Sequence, residues 1–332
     1  MGILRGWIFR ISPNETTFAR RGFPPCPQAQ REHLEKVGHS FVEGYRCALS
    51  NDVSPELVFE LDRIGADLRG FAYEGAAMAL ALLDLLTPWR RDRIARFLHG
   101  PGDRHIYMIH VGVGFALAKL RRGVERSMQS MHPFYRWLVI DGYGFHEGFF
   151  KWRDSFEQLR TPVRLTTEHL PVFDQGLGRS LWFVSGAQPG HIVDMIGRFP
   201  RERQHNLWSG IGLASTYAGG VDQTVLELLR NAAADTGADA DLAQGAAFAA
   251  KARERAGNIL PHTEMACETY CGRSARAAAM KTDESLKKIS STGVESSRIA
   301  TYENWRQLVR DSVVSHYGSG TTRQTCFSPV SA

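Results

Sequence analysis

Short runs of small and apolar residues recur along the chain, each introduced by the same glycine pattern. An apolar residue and two variable positions precede a glycine, which is followed by a variable position and a second glycine or alanine. The pattern reads AYEGAA, IHVGVG, VIDGYG, FDQGLG, LWSGIG and LAQGAA at 72–77, 109–114, 139–144, 173–178, 207–212 and 242–247. The first glycines stand at 75, 112, 142, 176, 210 and 245, so successive spacings are 37, 30, 34, 34 and 35 residues. A repeat of about 34 residues is typical of helical-hairpin arrays.

The apolar periodicity predicts a helical segment after each glycine pair and, in several units, a second helix. The first set covers 76–86, 115–120, 145–156, 179–184, 213–218 and 248–256, and the second covers 88–98, 123–138, 189–199 and 221–233. Strand signals are scarce, and only 161–173 is left open between loop and strand. We therefore predict an all-α fold, an array of helical hairpins arranged either as an open superhelix or as a closed α/α ring.

Three regions follow from this pattern. Residues 1–70 are predicted to form a helical lead-in, with helices at 32–50 and 54–69. Residues 71–280 form the hairpin array. Residues 281–332 combine a Ser-rich flexible linker over 281–298, a short helix at 299–315 and a disordered tail from 318 onward.

The glycine content of the chain makes the repeated pattern more significant. The chain has 32 glycines in 332 residues, an excess over the average of about 7%. A glycine inside a helix costs about 1 kcal/mol relative to alanine. Six aligned instances therefore indicate close helix approach or the architecture of a site.

Charge and cysteine content limit the class of protein. A net charge of +5 is spread over short basic groups in amphipathic stretches, which indicates solvated helix faces and no nucleic-acid partner. Five cysteines without a CxxC pair predict reduced thiols. No apolar run approaches the roughly 20 residues of a membrane span, and the amino terminus lacks a signal-peptide core. We expect a cytoplasmic protein with no membrane span.

Polar residues accompany the repeated glycines. If the units stack in register, these residues fall along one edge or around one mouth; they are Glu74, His110, Asp141, Asp174, Gln175, Ser209 and Gln244. A structural alternative stays open, since Asp and Ser are preferred helix N-caps. On that interpretation, Asp141, Asp174 and Ser209 only cap helices.

Histidines and carboxylates supply the candidate chemistry. His110, Asp141 and His146 are the first candidates for acid–base work because histidine titrates near neutral pH, and Glu147 and Asp174 complete the candidate catalytic set. His262 and Glu264 are the candidate metal ligands, although no HExxH or Glu-x-x-His spacing is present. The sequence specifies no metal or other cofactor. Dinucleotide-binding, P-loop and GxSxG hydrolase motifs are absent from the sequence.

Aromatic residues are frequent near the same edge. They either fill the core or line a groove suited to a long apolar or conjugated ligand. The candidate substrate-binding residues are Glu74, Tyr143, Trp182, Trp208 and Lys251.

Several blocks together resemble a known bacterial family, the UnbL-type enediyne biosynthesis proteins. The blocks are GFAYEG (70–75), IHVGVG (109–114), DGYGFHEG (141–148), FDQGLGRSLWF (173–183) and QGAAFAAKAR (244–253). The resemblance runs from about residue 15 to residue 267. These proteins are encoded beside enediyne polyketide synthases, and their function is unassigned. The resemblance implies a pathway and a linear polyene or polyketide intermediate as ligand; it supplies no catalytic residues.

Two hypotheses follow. In the first, the protein is an accessory biosynthetic protein that binds the polyene in an aromatic groove and assists its maturation into the enediyne core. In the second, it is a non-catalytic scaffold that docks the polyketide synthase, its carrier domain or a partner enzyme. The basic residues that would meet an acidic carrier domain are Arg90, Arg93, Arg96, Arg121 and Arg122.

Overall fold

The computed structural model describes residues 11–87, 89–121, 123–163, 165–291 and 298–313. Every regular element within these ranges is helical, so the prediction of an all-α protein is confirmed. Of the stretch 161–173 that was left open between loop and strand, 161–163 and 165–166 form no regular element, Thr167–His169 form a short 3-10 helix, and 170–173 begin a long α-helix.

The α-helices are, in chain order, α1 Phe18–Arg21, α2 Gln28–Asn51, α3 Pro55–Arg63, α4 Ala66–Leu86, α5 Arg93–Leu98, α6 Ile106–Leu120, α7 Val124–Gln129, α8 Leu138–Phe150, α9 Leu170–Val184, α10 Pro189–Gly197, α11 Arg201–Ala218, α12 Gln223–Asp235, α13 Asp239–Arg255, α14 Pro261–Cys271, α15 Ala275–Ser290 and α16 Ile299–Val313. The six glycine patterns lie within α4, α6, α8, α9, α11 and α13, which we call the motif helices. Each motif helix packs against the next in chain order, with α2 before α4 and α15 after α13.

In the four patterns that have two glycines, the two contact opposite neighbours. A methyl group placed on the first glycine would meet a backbone carbonyl of the preceding helix; at Gly176, for example, it would lie 1.9 Å from the Asp141 oxygen. A methyl group on the second glycine would meet the following helix, as at Gly178, 2.1 Å from the Leu207 oxygen. Because an α-helix turns by about 100° per residue, two positions apart lie on nearly opposite sides. The spacing therefore arranges the motif helices in a row with touching backbones.

The contacts keep the same register along the row. Each first glycine from Gly112 onward contacts the carbonyl of the residue that precedes the first glycine of the helix before it. The contacted residues are Glu74, Val111, Asp141, Gln175 and Ser209. Residues at that position on consecutive helices are therefore neighbours in space.

The row curls, so that its early and late helices meet. Arg253 of α13 donates hydrogen bonds to the carbonyls of Ala66 and Asp67 at the start of α4, and also to Tyr217 at the end of α11. Phe71 packs edge to face on Tyr217, with ring centroids 5.1 Å apart. The hairpin repeat, and the choice between a superhelix and a ring, stay predictions.

Several predicted boundaries differ from the structure. Helices were expected to begin at the glycine pairs, yet the pairs lie inside the motif helices, because close packing outweighs the weak helix propensity of glycine. The N-cap interpretation is wrong for Asp141, Asp174 and Ser209, which are buried inside α8, α9 and α11. The predicted helix at 54–69 is interrupted, since α3 ends at Arg63 and α4 begins at Ala66.

The carboxy-terminal region also differs. The prediction of a flexible linker is wrong for 281–290, which belongs to α15 and buries Thr282, Ser285 and Ile289. The predicted helix at 299–315 corresponds to α16. The tail from 318 lies outside the described residues. Helices α4 and α15 run across the predicted region boundaries at 70/71 and 280/281; the three-region division stays a prediction.

The described part of the chain contains no helix with both the length and the hydropathy of a membrane span. Its cysteines, Cys26, Cys47, Cys267 and Cys271, are free thiols.

Candidate functional site

One face of each motif helix is turned towards the interior of the curled row. Counted from the first glycine, positions −4, −1, +3 and +7 fall within about 80° of one another around the helix. Residues at these positions line two cavities, and they include Phe71, Glu74, Met108, Val111, Phe115, Leu138, Asp141, Phe145, Phe149, Arg179, Phe183, Leu213, Tyr217, Phe248 and Ala252. The glycine spacing therefore fixes which side chains face the interior.

The first cavity, which we call the phenylalanine cavity, is almost wholly apolar. Nine phenylalanines border it: Phe18, Phe23, Phe41, Phe71, Phe115, Phe145, Phe149, Phe150 and Phe183. Its charged lining residues are Glu74 and Arg179. The space between these residues, which is partly open to solvent, measures about 570 Å³. A narrow, flat-walled space of this kind suits a thin chain better than a bulky ring system.

The second cavity, which we call the tyrosine cavity, has the same volume and a more polar wall. Its aromatic lining residues are Tyr107, Tyr135, Tyr217, Phe248, Tyr302 and Trp305. Asp141, Arg179 and Lys251 supply its charged groups. Helix α16 contributes Tyr302 and Trp305 to this wall, so the final described helix completes the cavity.

Arg179 borders both cavities and is held by two carboxylates. Its guanidinium bonds Asp141, and its Nη2 lies 3.7 Å from the Glu74 Oε1. All three side chains are buried. Burial alone lowers the pKa of Arg179, but Asp141 and Glu74 outweigh that effect and raise it above its ordinary value. Arg179 also lies over the Phe145 ring, 5.2 Å from its centroid.

A line of polar side chains continues from this cluster along the row. Gln175 donates to Asp141 Oδ2 at 2.8 Å. The Ser209 hydroxyl lies 3.2 Å from the side-chain oxygens of both Gln175 and Gln244. Because a hydroxyl carries one proton, it donates to one of them at a time. These residues immediately precede the first glycines of consecutive motif helices, so the constant contact register along the row brings them together.

Glu74 titrates near neutral pH. Burial raises its pKa to about 7; the nearby Arg179 lowers it and Asp141 raises it further. A carboxyl group with this pKa can hold or release a proton under physiological conditions. Perturbed values of this kind cluster at functional sites.

The raised value predicts a pH-dependent stability. Between the ordinary pKa of 4.5 and the folded value of about 7, the folded chain binds more protons at Glu74 than the unfolded chain does. The free energy of unfolding therefore falls as pH rises through this window, by about 3 kcal/mol from this group. Denaturant unfolding of wild type and Glu74→Gln at pH 5 and pH 8 checks this. In Glu74→Gln, the free energy of unfolding should no longer show this decrease between pH 5 and pH 8. The surface control Glu157→Gln should show it as wild type does. Equal slopes in wild type and Glu74→Gln would contradict the assignment.

Two of the predicted residues lie off the cavity face. His110 and Asp174 each precede a first glycine by two positions, about 100° further around the helix than the facing position. His110 donates from Nδ1 to the Ile106 carbonyl at 2.7 Å, and burial lowers its pKa to about 4. Asp174 is bonded by Arg203, with Nε 2.8 Å from Oδ2. Burial raises the pKa of Asp174, while Arg203 lowers it.

His146 and Glu147 form a separate group with Lys151. The Lys151 Nζ lies 2.6 Å from both Glu147 oxygens, and His146 Nδ1 is 3.4 Å from Glu147 Oε1 without a hydrogen bond between them. Burial lowers the pKa of His146. Burial raises the pKa of Glu147, but His146 and Lys151 lower it overall. Of the five candidate catalytic residues, the structure thus places only Asp141 at the Arg179 cluster; their catalytic roles stay predictions.

Of the five candidate substrate-binding residues, two line a cavity and three do not. Glu74 lines the phenylalanine cavity and Lys251 the tyrosine cavity. Tyr143, Trp182 and Trp208 are buried and line neither cavity.

The two candidate metal ligands have local structural contacts. His262 Nε2 lies 3.2 Å from the Tyr217 carbonyl, and Glu264 accepts from the backbone N–H of Ala275 at 3.1 Å. Among the described residues, no group of three or more His, Cys, Asp or Glu side chains is arranged to hold a metal ion.

Arg179 is the site residue that the sequence reasoning did not single out. Arg179 is position +3 of its motif, where the other five motifs have Met78, Phe115, Phe145, Leu213 and Phe248. One charged residue among apolar equivalents is the signal that identifies it.

Comparison with known proteins places the chain in a family. No curated protein and no solved structure matched it. A family model described as a protein of unknown function (DUF1702) matched residues 1–313. The matched span includes both cavities and the Glu74–Arg179–Asp141 cluster. The chain therefore belongs to the DUF1702 family, whose function is uncharacterised.

Proposed function

We propose that this protein is an accessory protein of enediyne polyketide biosynthesis that binds a linear polyene intermediate and assists its conversion into the enediyne core. The sequence blocks that resemble UnbL-type proteins support the pathway. The observation that carries the binding function is the phenylalanine cavity, with a titratable Glu74 in its wall.

The cavity chemistry favours a thin unsaturated hydrocarbon chain. Flat phenylalanine rings provide dispersion contacts and edge-to-face geometry, as between Phe23 and Phe149 at 5.1 Å. Apart from Glu74 and Arg179, the wall offers little to a polar ligand. A saturated polar metabolite would lose its hydrogen bonds to water on entering the cavity, and the wall would supply few in their place.

Glu74 supplies the chemistry that we assign to this site. Its carboxyl is poised to take a proton from one carbon of the bound chain as carboxylate and to return it to another as carboxylic acid. Such a shift of double bonds is an isomerisation, which balances in atoms and electrons without a further reagent. Forming the triple bonds of the core removes hydrogen and needs a separate oxidising enzyme, so the step assigned to Glu74 only prepares the chain. Arg179 lies beside the carboxyl, and burial, followed by the charges of Arg179 and Asp141, sets its protonation equilibrium.

The scaffold alternative receives less support from the surface that was expected to carry it. Arg93 is buried, with its guanidinium bonded to Asp52 and Asp84 at 3.1 Å. Arg90 also pairs with Asp52, 3.4 Å away. Arg122 lies outside the described residues. Two of the five expected arginines are therefore already paired with carboxylates.

Binding is tested with diphenylhexatriene, a conjugated hydrocarbon whose fluorescence rises in apolar surroundings. We expect saturable binding to wild type. Phe41→Asn puts an amide into the wall at a half-buried position and should weaken binding about tenfold. Phe59→Asn is the matched control, since Phe59 is 62% exposed and lies outside the cavity. Absent binding, or equal effects of the two variants, would overturn the binding proposal.

The pathway is tested by co-expressing the synthase with wild type, with Glu74→Gln, or alone, followed by metabolite profiling. Wild type should convert the polyene, whereas the variant should leave it unconverted, as in the synthase-only strain. Full conversion with Glu74→Gln would remove the catalytic role of Glu74.

A further inference from the structure

Two phenol groups in the wall of the tyrosine cavity lack hydrogen-bond partners. Tyr302 is 0% exposed and Tyr217 is 3% exposed, and neither hydroxyl makes a hydrogen bond within the described protein. Buried polar groups are nearly always paired, and leaving one unpaired is destabilising. Both residues line the same cavity. Two residues of one cavity wall therefore carry unpaired hydroxyl donors, which an acceptor bound there would satisfy.

The charges around the cavity decide what kind of acceptor fits. Arg179 is already balanced by Asp141, and Glu74 lies beside it. Lys251 is paired with Asp283 at 2.6 Å and Glu254 at 2.8 Å. No uncompensated positive charge therefore faces the space among the described lining residues. An anionic ligand would be buried next to Asp141 without a counter-ion, which is costly, so a neutral oxygen acceptor is favoured.

The other walls select a flat molecule. Phe248 and Trp305 stack with ring centroids 4.5 Å apart and an interplanar angle of 7°. Tyr107 and Tyr135 meet edge to face at 5.2 Å. A planar conjugated group packs well against such faces.

We propose that the tyrosine cavity binds the neutral carbonyl end of a conjugated ligand, as an ester, thioester or ketone, with Tyr302 and Tyr217 donating hydrogen bonds to it. The inference rests on the proposed function, which it deepens by naming the end group of the polyene. Arg179 borders both cavities, so the two spaces are neighbours. In this proposal the hydrocarbon part of the ligand lies on one side of Arg179 and its carbonyl part on the other.

Three probes with related unsaturated chains separate the contributions. They are methyl trans-parinarate, which has a neutral carbonyl; trans-parinarate, which has a carboxylate; and diphenylhexatriene, which has no oxygen. Fluorescence titration of wild type should show the methyl ester binding about tenfold more tightly than the carboxylate. Tyr302→Phe and Tyr217→Phe should each weaken methyl ester binding about fivefold. Both should leave diphenylhexatriene affinity within about twofold of wild type, because that probe uses no hydroxyl.

Tyr270→Phe is the matched control. Tyr270 is buried and lies 3.3 Å from the Ser215 hydroxyl, outside both cavities, so its loss should not change probe affinity. Thermal unfolding of Tyr302→Phe checks the fold; removal of an unpaired hydroxyl should leave Tm unchanged or higher.

The outcomes distinguish the two proposals. Diphenylhexatriene binding combined with an ester affinity that ignores both tyrosine variants would overturn this inference alone. Tyrosine-dependent ester binding without hydrocarbon binding would support it and overturn the binding role of the phenylalanine cavity. Tighter binding of the carboxylate than of the ester would reject the neutral carbonyl. Failure of all three probes to bind would reject both proposals.

Discussion

Gly176→Ala should destabilise the protein by about 3 kcal/mol, even though alanine is the better helix former. The added methyl group would lie 1.9 Å from the Asp141 carbonyl oxygen and 2.9 Å from the Phe145 amide nitrogen. Both obstacles are backbone atoms of α8, so no side-chain rotation relieves the clash. Helices α8 and α9 have to separate, and the Asp141 bonds to Gln175 and Arg179 stretch with them. Equilibrium unfolding in urea measures the change.

Gly197→Ala is the matched control for this substitution. Gly197 also lies in a helix, α10, but an added methyl group meets nothing within 4 Å. This variant should be neutral or stabilised by up to about 1 kcal/mol. If the two substitutions changed the free energy of unfolding equally, backbone contact would not be the reason for glycine at position 176.

Arg179→Leu should cost about 3 to 5 kcal/mol, the second large effect. The substitution leaves the buried Asp141 without its cationic partner, and Gln175 is the remaining side-chain donor to that carboxylate. Adding Asp141→Asn to this variant should recover much of the loss, because it removes the uncompensated charge. Urea unfolding of the single and double variants tests this. A double variant no more stable than Arg179→Leu would show that packing of the arginine, and not its charge, stabilises the core.

A half-buried arginine with an exposed partner serves as the comparison. Arg255 pairs with Asp103 at 2.9 Å, and the Asp103 side chain is 64% exposed. Arg255→Leu should cost less than about 1 kcal/mol, as is usual for solvent-screened pairs. A similar loss at both arginines would contradict the role assigned to burial.

The glycine pattern predicted much of the site, because it records backbone contacts directly. It located the motif helices and the polar residues Glu74, Asp141, Gln175, Ser209 and Gln244, which the structure brings into one line. The approach of Arg179 to Glu74 was not predictable, since it depends on how far the row curls, and helix α4 is not adjacent to α9 in that row.

Local composition misled the prediction for 281–290. Its serine and threonine content is typical of a linker, yet Thr282 bonds the Ala279 carbonyl at 2.7 Å within α15. A side chain that satisfies its hydroxyl on its own helix can be buried. Composition alone does not show that the hydroxyl is satisfied, because its acceptor is a carbonyl of the folded helix.

The opposite directions of the paired glycines also determine where the chain can change length. Distances between successive patterns range from 30 to 37 residues, whereas the two small residues within each pattern are always two positions apart. One residue inserted within a pair would rotate the second contact by about 100° and uncouple two helices. One residue inserted in a connecting loop would leave every wall position in place. The packing of the motif helices therefore tolerates loop insertions and exchanges of wall side chains, but not a change of spacing within a pattern.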